Sequence, residues 1–224
     1  METKEFYTIV SRRSNVSKIL DFALPKDTTT TNVDSQNAAF GVLTQVVQQY
    51  LERKKEKEGR KKQGEDEDEE TTLQQLSEDE GEESGDGSLI EVLVHNVPRI
   101  VAYLDLPERS QSELSTSYDA KIQPLGSLRL KVVELVYQII KLNKDSILTA
   151  IGDSTFFEKL STLIEAYPWN NFLHLKVIAI YEDVFESSNK DFIKQALTSG
   201  KIGETLITLA GKKTFQHESN RSIR

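Results

Sequence analysis

The second half of the chain carries apolar residues at helical spacing, and the pattern recurs after 42 positions. Residues 127–142 and 170–186 each read as an amphipathic helix, and a shift of 42 places the apolar positions of the first on those of the second. The superposed pairs are Leu130 and Phe172, Val133 and Leu175, Leu135 and Val177, Val136 and Ile178, Ile139 and Tyr181, and Leu142 and Val184. A period of about 40–47 residues with two or three helices per unit is typical of armadillo and HEAT repeats.

Further helices are predicted in the same half, and strands are not, because the β-branched clusters lie inside stretches of helical period. The expected spans are 145–151, 154–166, 190–199 and 202–210. The sequence therefore predicts an all-α protein with an armadillo/HEAT-like helical repeat, an α-solenoid, over residues 35–210. Two copies alone do not establish a repeat, because any two amphipathic helices can be slid into partial register.

The region before residue 105 has a weaker helical pattern. Residues 1–34 form a poorly defined segment with one short amphipathic helix, predicted at 15–24 and ending before Pro25. A second helix is expected to begin at an N-cap, Ser35 or Asn37, and to continue into the basic run at 53–62.

A third helix is expected to begin at Ser88 as its cap and to extend to residue 104. Pro98 lies inside its apolar pattern, which predicts a kink or a break there. Residues 105–123 then read as a long polar loop, and residues 211–224 as a flexible C-terminal tail.

The charge is concentrated between the second and third helices. The run ERKKEKEGRKK at 52–62 has seven basic and three acidic residues, whereas residues 63–88 have twelve acidic residues and no basic ones. These two runs account for the whole formal net charge of −8. So polar a segment cannot bury enough apolar surface to offset its ordering entropy. We therefore predict a disordered acidic insertion at 60–87.

The residue types needed for most catalytic chemistry are missing or scattered. The chain has no cysteine, and its three histidines, His95, His174 and His217, lack the close spacing of a metal-binding pair. We expect no catalytic, cofactor or metal site, and thus no enzyme. The acidic balance argues against nucleic acid as a partner, and no apolar run is long enough to span a membrane. The expected location is the cytoplasm, with the nucleus as a second compartment.

The acidic insertion suggests two further hypotheses. Ser77 is followed by Glu78, Asp79 and Glu80, which makes it a candidate phosphorylation site for a kinase that prefers acidic sequences. The insertion as a whole could also bind basic partners through residues 63–88. The chain would then be an adaptor protein that acts by binding basic partners through its acidic insertion.

One short segment, from Tyr167 to His174 with the sequence YPWNNFLH, concentrates aromatic and amide side chains. Pro168 should end the preceding helix, and Asn170 or Asn171 should cap the next one. Trp169 and Phe172 are expected to fill the junction between units as a structural turn, so that Trp169→Ala would cost about 3–5 kcal/mol. The functional alternative is that Asn171 and His174 line a groove that holds the backbone of a partner.

The chain resembles the SAPS-domain family in these motifs. The match consists of Pro124-Leu125-Gly126, then Arg129-Leu130-Lys131-Val132-Val133, and then the YPWNNFLH segment about 40 residues later. It is clear over residues 124–210 and corresponds to the C-terminal part of the domain.

The resemblance implies a non-catalytic regulatory subunit. Members of this family bind the catalytic subunit of a Sit4/protein phosphatase 6 type Ser/Thr phosphatase and direct its activity, with an ankyrin-repeat subunit as a further partner. No cofactor is implied. The residues that we expect on the partner-binding surface are Arg129, Asn170, Asn171 and His174.

Overall fold

The structure of the protein is a computed structural model. It describes residues 7, 9–25, 32–63, 86–105, 114–115, 121–211, 215–216 and 222–223. The chain forms two units, Met1–Asn96 and Val97–Arg224. The α-helices of the described residues are α1 Arg13–Ala23, α2 Val33–Gln63, α3 Asp86–Ala102, α4 Ser127–Lys141, α5 Asp145–Gly152, α6 Phe156–Ala166, α7 Asn171–Glu186, α8 Lys190–Gly200 and α9 Ile202–Gly211.

The described residues also contain four strands of two residues each. β1 Leu114–Ser115 pairs antiparallel with β2 Lys121–Ile122, and β3 Phe215–Gln216 pairs antiparallel with β4 Ser222–Ile223. The first pair lies within the predicted loop at 105–123, and the second lies within the predicted tail. Because helices make up nearly all of the described structure, the predicted all-α fold is confirmed.

In the first unit, α1 packs on the N-terminal half of α2. Their contact buries apolar residues that recur at helical spacing, among them Leu20 on α1 and Phe40 and Leu43 on α2. The side-chain amide of Gln36 donates to the carbonyl of Ala23 at 3.3 Å, which satisfies one of the free carbonyls at the end of α1. The predicted short helix before Pro25 is therefore present.

The start of α2 differs from the prediction. Asn32 caps it: its side-chain oxygen accepts from the amide of Asp34 at 2.8 Å, and its carbonyl accepts from the amide of Gln36. Ser35 and Asn37 lie within the first turns instead. The apolar pattern of α2 shows only where its apolar residues begin. The cap, Asn32, lies more than one turn before them, because the first turn of the helix is occupied by polar residues.

The ends of the acidic insertion are also shifted. Helix α2 continues to Gln63 and α3 begins at Asp86, so residues 60–63 and 86–87 are helical and were wrongly placed in the loop. Ser88 is accordingly inside α3 and does not cap it. Ser77 and the rest of the insertion, residues 64–85, lie outside the described residues.

Helix α3 runs through Pro98 as one helix, so of the two predicted alternatives, a kink or a break, the break is absent. A 3₁₀ helix, Tyr103–Asp105, follows it directly and packs on α4. The ammonium of Lys159 on α6 donates to the carbonyl of Val101 at 3.1 Å and pairs with Asp105 at 2.7 Å. A cation at a helix C-terminus satisfies free carbonyls and complements the helix dipole.

The second unit contains the predicted repeat. Its first copy is α4, α5 and α6, and its second is α7, α8 and α9; α4 packs on α7, α5 on α8, and α6 on α9. The first and last residues of these six helices agree with the predicted ones to within two residues. Each helix of the first copy contacts the corresponding helix of the second copy. The helical repeat predicted from the 42-residue register is therefore present as two stacked three-helix copies.

Polar contacts between the two copies join residues about 40 positions apart. Lys176 pairs with Glu134 at 3.1 Å, Gln195 donates to Asp153 at 2.7 Å, and Thr205 donates to Glu165 at 3.2 Å. Because the sequence separation between the paired residues stays near 42 along the unit, corresponding helices of the two copies run parallel and in register. The sequence superposition of Glu134 on Lys176 is thus a direct contact in the structure.

The core shared by the two copies is an aromatic cluster. Phe157 lies 5.5 Å from Phe156, 5.8 Å from Tyr181 and 5.6 Å from Phe192, measured between ring centroids. Phe156, Phe157 and Phe192 are fully buried. The edge-on and tilted arrangements are those that aromatic quadrupoles favour. The cluster therefore joins α6 of the first copy to α7 and α8 of the second.

Candidate functional site

Two hydrogen bonds shape the turn between the two repeats. Helix α6 ends at Ala166, and the amide of Asn170 donates to the carbonyl of Tyr167 at 3.0 Å across Pro168 and Trp169. The Asn170 side-chain oxygen then accepts from the amide of Leu173 at 2.9 Å, which caps α7. The sequence allowed Asn170 or Asn171 as the cap, and the structure selects Asn170.

Removal of this cap gives a first prediction. We expect Asn170→Ala to lower the free energy of unfolding by about 1 kcal/mol, because the amide of Leu173 loses its acceptor. Urea denaturation followed by circular dichroism measures it. Asn171→Ala, one residue later and exposed, is the matched control and should change the free energy by less than about 0.5 kcal/mol. Equal losses in the two variants would contradict the assignment of the cap.

Arg129 holds the turn from the side of α4. Its guanidinium donates to the hydroxyl of Tyr167 at 2.6 Å and to the carbonyl of Leu125 at 3.5 Å, and it lies 5.8 Å from the centroid of the Tyr167 ring. Gly126, which precedes α4 with φ 89°, lets the chain turn into the helix where other residues would be strained. Arg129 is half-buried and positions the turn through these contacts.

A groove with a volume of about 300 Å³ lies beside this turn. One wall is the segment before α4, and the other is the turn with the start of α7. The lining residues are Gln123, Pro124, Leu125, Ala166, Tyr167, Pro168, Trp169, Asn170, Asn171 and Phe172. Residues 123–125 were not predicted as part of a site, although Pro124 and Leu125 belong to the Pro-Leu-Gly motif on which the family resemblance partly depends.

The two large aromatic residues of the turn are exposed. Trp169 is 46% exposed and Phe172 is 73% exposed, so the prediction that they fill the junction between repeats is wrong. The junction is filled by the Phe157 cluster, and Phe157 lies at the start of α6, whereas the turn follows the end of that helix. We therefore expect Trp169→Ala to cost about 1 kcal/mol or less, since much of the indole already contacts water.

Three of the four predicted polar residues, Asn170, Asn171 and His174, lie at the start of α7. Asn170 and Asn171 line the groove, and His174 lies one turn further along, outside the groove lining. The Nε2 atom of His174 is buried and has no hydrogen-bond partner among the described residues. Asn171 is exposed at the groove edge. The groove thus offers apolar walls with an amide at one end, a combination that suits an extended peptide.

Two titratable side chains on the described helices of the second unit have raised pKa values. Burial raises the pKa of Tyr181 to about 12, and its hydroxyl has no hydrogen-bond partner among the described residues. Hydrogen bonding to Tyr137 raises the pKa of Lys141. Within the described ranges, no group of three or more His, Asp or Glu residues could hold a metal ion, and no helix is long and apolar enough to span a bilayer.

Comparison with known proteins identifies the family. The model of the SAPS family, described as SIT4 phosphatase-associated protein, matches residues 1–224. The chain therefore belongs to the SAPS family, whose members are associated with the Sit4 phosphatase. The match extends the resemblance to the first 123 residues, where the motifs were weakest. No curated protein and no solved structure matches the chain.

Proposed function

We propose that this protein is a non-catalytic regulatory subunit that binds a Sit4/protein phosphatase 6 type Ser/Thr phosphatase catalytic subunit and directs its activity. The whole-chain family match is the observation that carries the proposal. Such a subunit acts by presenting a surface, so its function depends on exposed, well-positioned side chains. The proposed locations are the cytoplasm and the nucleus, and an ankyrin-repeat subunit is a further proposed partner.

The groove at the inter-repeat turn is the proposed contact for the phosphatase. Trp169 and Phe172 are held on a turn that is fixed by the Asn170 cap and by the Arg129–Tyr167 hydrogen bond. Rigid exposed aromatics lose little conformational entropy on binding, which makes them frequent hot spots of protein interfaces. Asn171 beside them can donate and accept hydrogen bonds to a partner backbone.

Co-purification with the catalytic subunit tests this contact. We expect Trp169→Ala to weaken capture of a Sit4/protein phosphatase 6 type catalytic subunit at least tenfold, which corresponds to about 1.4 kcal/mol. Phe22→Ala is the matched control, because Phe22 on α1 is 71% exposed and lies in the first unit. A thermal melt of each variant establishes that folding is unchanged.

Deletion of residues 64–85 separates this role from the adaptor alternative. If the deletion leaves phosphatase capture intact while Trp169→Ala abolishes it, the regulatory role through the groove stands. If only the deletion weakens capture, binding through the acidic insertion accounts for the function. Equal capture of all variants would place the phosphatase contact elsewhere on the chain.

A further inference from the structure

Helix α7 has a second exposed apolar surface, separate from the groove. Leu175, Ile178 and Phe185 are 64%, 56% and 57% exposed and lie on one side of the helix. We call these three residues the outer face of α7. Its opposite side, with Leu173, Ile180 and Val184, is buried in the unit. Large apolar side chains grouped on one face are typical of an interaction surface.

The same face is covered in the first copy of the repeat. Val133 and Val136, which correspond to Leu175 and Ile178 in the 42-residue register, are fully buried on α4. In a stack of repeats, each copy buries the face of the copy before it. Helix α7 packs on α4, and the Lys176–Glu134 ion pair between them keeps the 42-residue offset of the register. The outer face of α7 thus continues an existing helix–helix interface.

The charges on this face indicate the chemistry of its occupant. Glu182 and Glu186 are exposed; Glu182 lies four residues after Ile178, and Glu186 lies four residues after Glu182. Lys176, which is the one lysine of α7, is directed toward Glu134 on the first copy. The outer face therefore combines an apolar stripe with negative charge, and a basic residue on the partner would complement it.

We propose that the outer face of α7 docks a basic amphipathic helix of a partner protein. The partner helix would place its apolar stripe over Leu175, Ile178 and Phe185, with lysine or arginine beside Glu182 and Glu186. A second copy of this chain fits less well. In a two-fold symmetric dimer, Glu182 and Glu186 of both copies would lie in the same interface without basic side chains to pair with them. This surface goes beyond the phosphatase contact proposed above.

Two labelled peptides provide the test. Both have eighteen residues and one leucine stripe at helical spacing; one carries lysines beside the stripe and the other carries glutamates. We expect the lysine peptide to bind the full chain at least tenfold more tightly than the glutamate peptide, as measured by fluorescence anisotropy. The double variant Glu182→Lys, Glu186→Lys should reverse that preference.

The variant Leu175→Asp, Ile178→Asp separates docking from simple charge attraction. It adds negative charge, so nonspecific attraction of the lysine peptide would increase, whereas docking on the outer face predicts at least a tenfold loss. Phe22→Asp is the control and should leave binding unchanged. Trp169→Ala should also leave it unchanged, which keeps this result independent of the phosphatase experiment.

Three results would overturn the proposal. The first is equal or absent binding of the two peptides. The second is a concentration-dependent dimer, seen by sedimentation, that Leu175→Asp dissolves, because a second copy would then cover the face. The third is peptide binding that requires deletion of residues 212–224, because the end of this chain would then occupy the face.

Discussion

Phe157→Ala is expected to lower the free energy of unfolding by about 3–5 kcal/mol, the largest effect of any single substitution considered. The Phe157 ring is fully buried and contacts Phe156, Tyr181 and Phe192. Its removal leaves a cavity between α6, α7 and α8, and the aromatic pair energies are lost with it. Because these helices belong to different copies of the repeat, the substitution also weakens the stacking of the two copies.

Urea denaturation followed by circular dichroism measures this loss. Phe22→Ala removes the same side chain from an exposed position and should change the free energy by about 0.5 kcal/mol or less. A loss below about 1 kcal/mol for Phe157→Ala would show that the aromatic cluster does not join the two repeats.

Gly200→Ala is expected to destabilise the protein by about 1–3 kcal/mol through overpacking. A Cβ atom at Gly200 would lie 2.5 Å from the hydroxyl oxygen of Tyr181 and 3.1 Å from the Cβ of Phe157. The carbonyl of Gly200 also accepts the hydroxyl of Ser161, so the helix end cannot move away without breaking that bond. Alanine normally stabilises a helix relative to glycine, and the close packing here reverses the sign.

A double-mutant cycle isolates the cause. Tyr181→Phe removes the hydroxyl that an added methyl would meet, so Gly200→Ala should cost less in that background. Gly41→Ala on α2 is the control, since no atom lies within 4 Å of the position of its Cβ, and it should stabilise by up to about 1 kcal/mol. A stabilising effect of Gly200→Ala in the native background would contradict the packing described here.

Much of the second unit was predictable because local chemistry and helical period agree there. Pro168 ends a helix for a steric reason, and Asn170 caps the next one with its own side chain, so the positions where α6 ends and α7 begins depend on neighbouring residues. The 42-residue register predicted which helices correspond, and Glu134 and Lys176 meet as that register requires. In the first unit, the start of α2 was misplaced because its cap lies before the apolar pattern begins.

The exposure of the turn aromatics could not be predicted in this way. Trp169 and Phe172 have the size and apolar character of core residues, and their spacing is helical. Whether such residues are buried depends on what lies opposite them in space, which a one-dimensional pattern does not contain. The residue that fills the junction, Phe157, lies on the preceding helix and has no distinguishing sequence context.

By itself, the sequence determined the helices, their order, the repeat register and the family. Periodicity, caps and helix-ending prolines are properties of residues a few positions apart, so they can be read along the chain. Only the tertiary structure decided which apolar faces are covered. Val133 is buried and Leu175 is exposed at equivalent positions, because α7 packs on α4 whereas none of the described helices packs on the outer face of α7. Burial is set by neighbours in space, and it thereby distinguishes the core from the candidate binding surfaces.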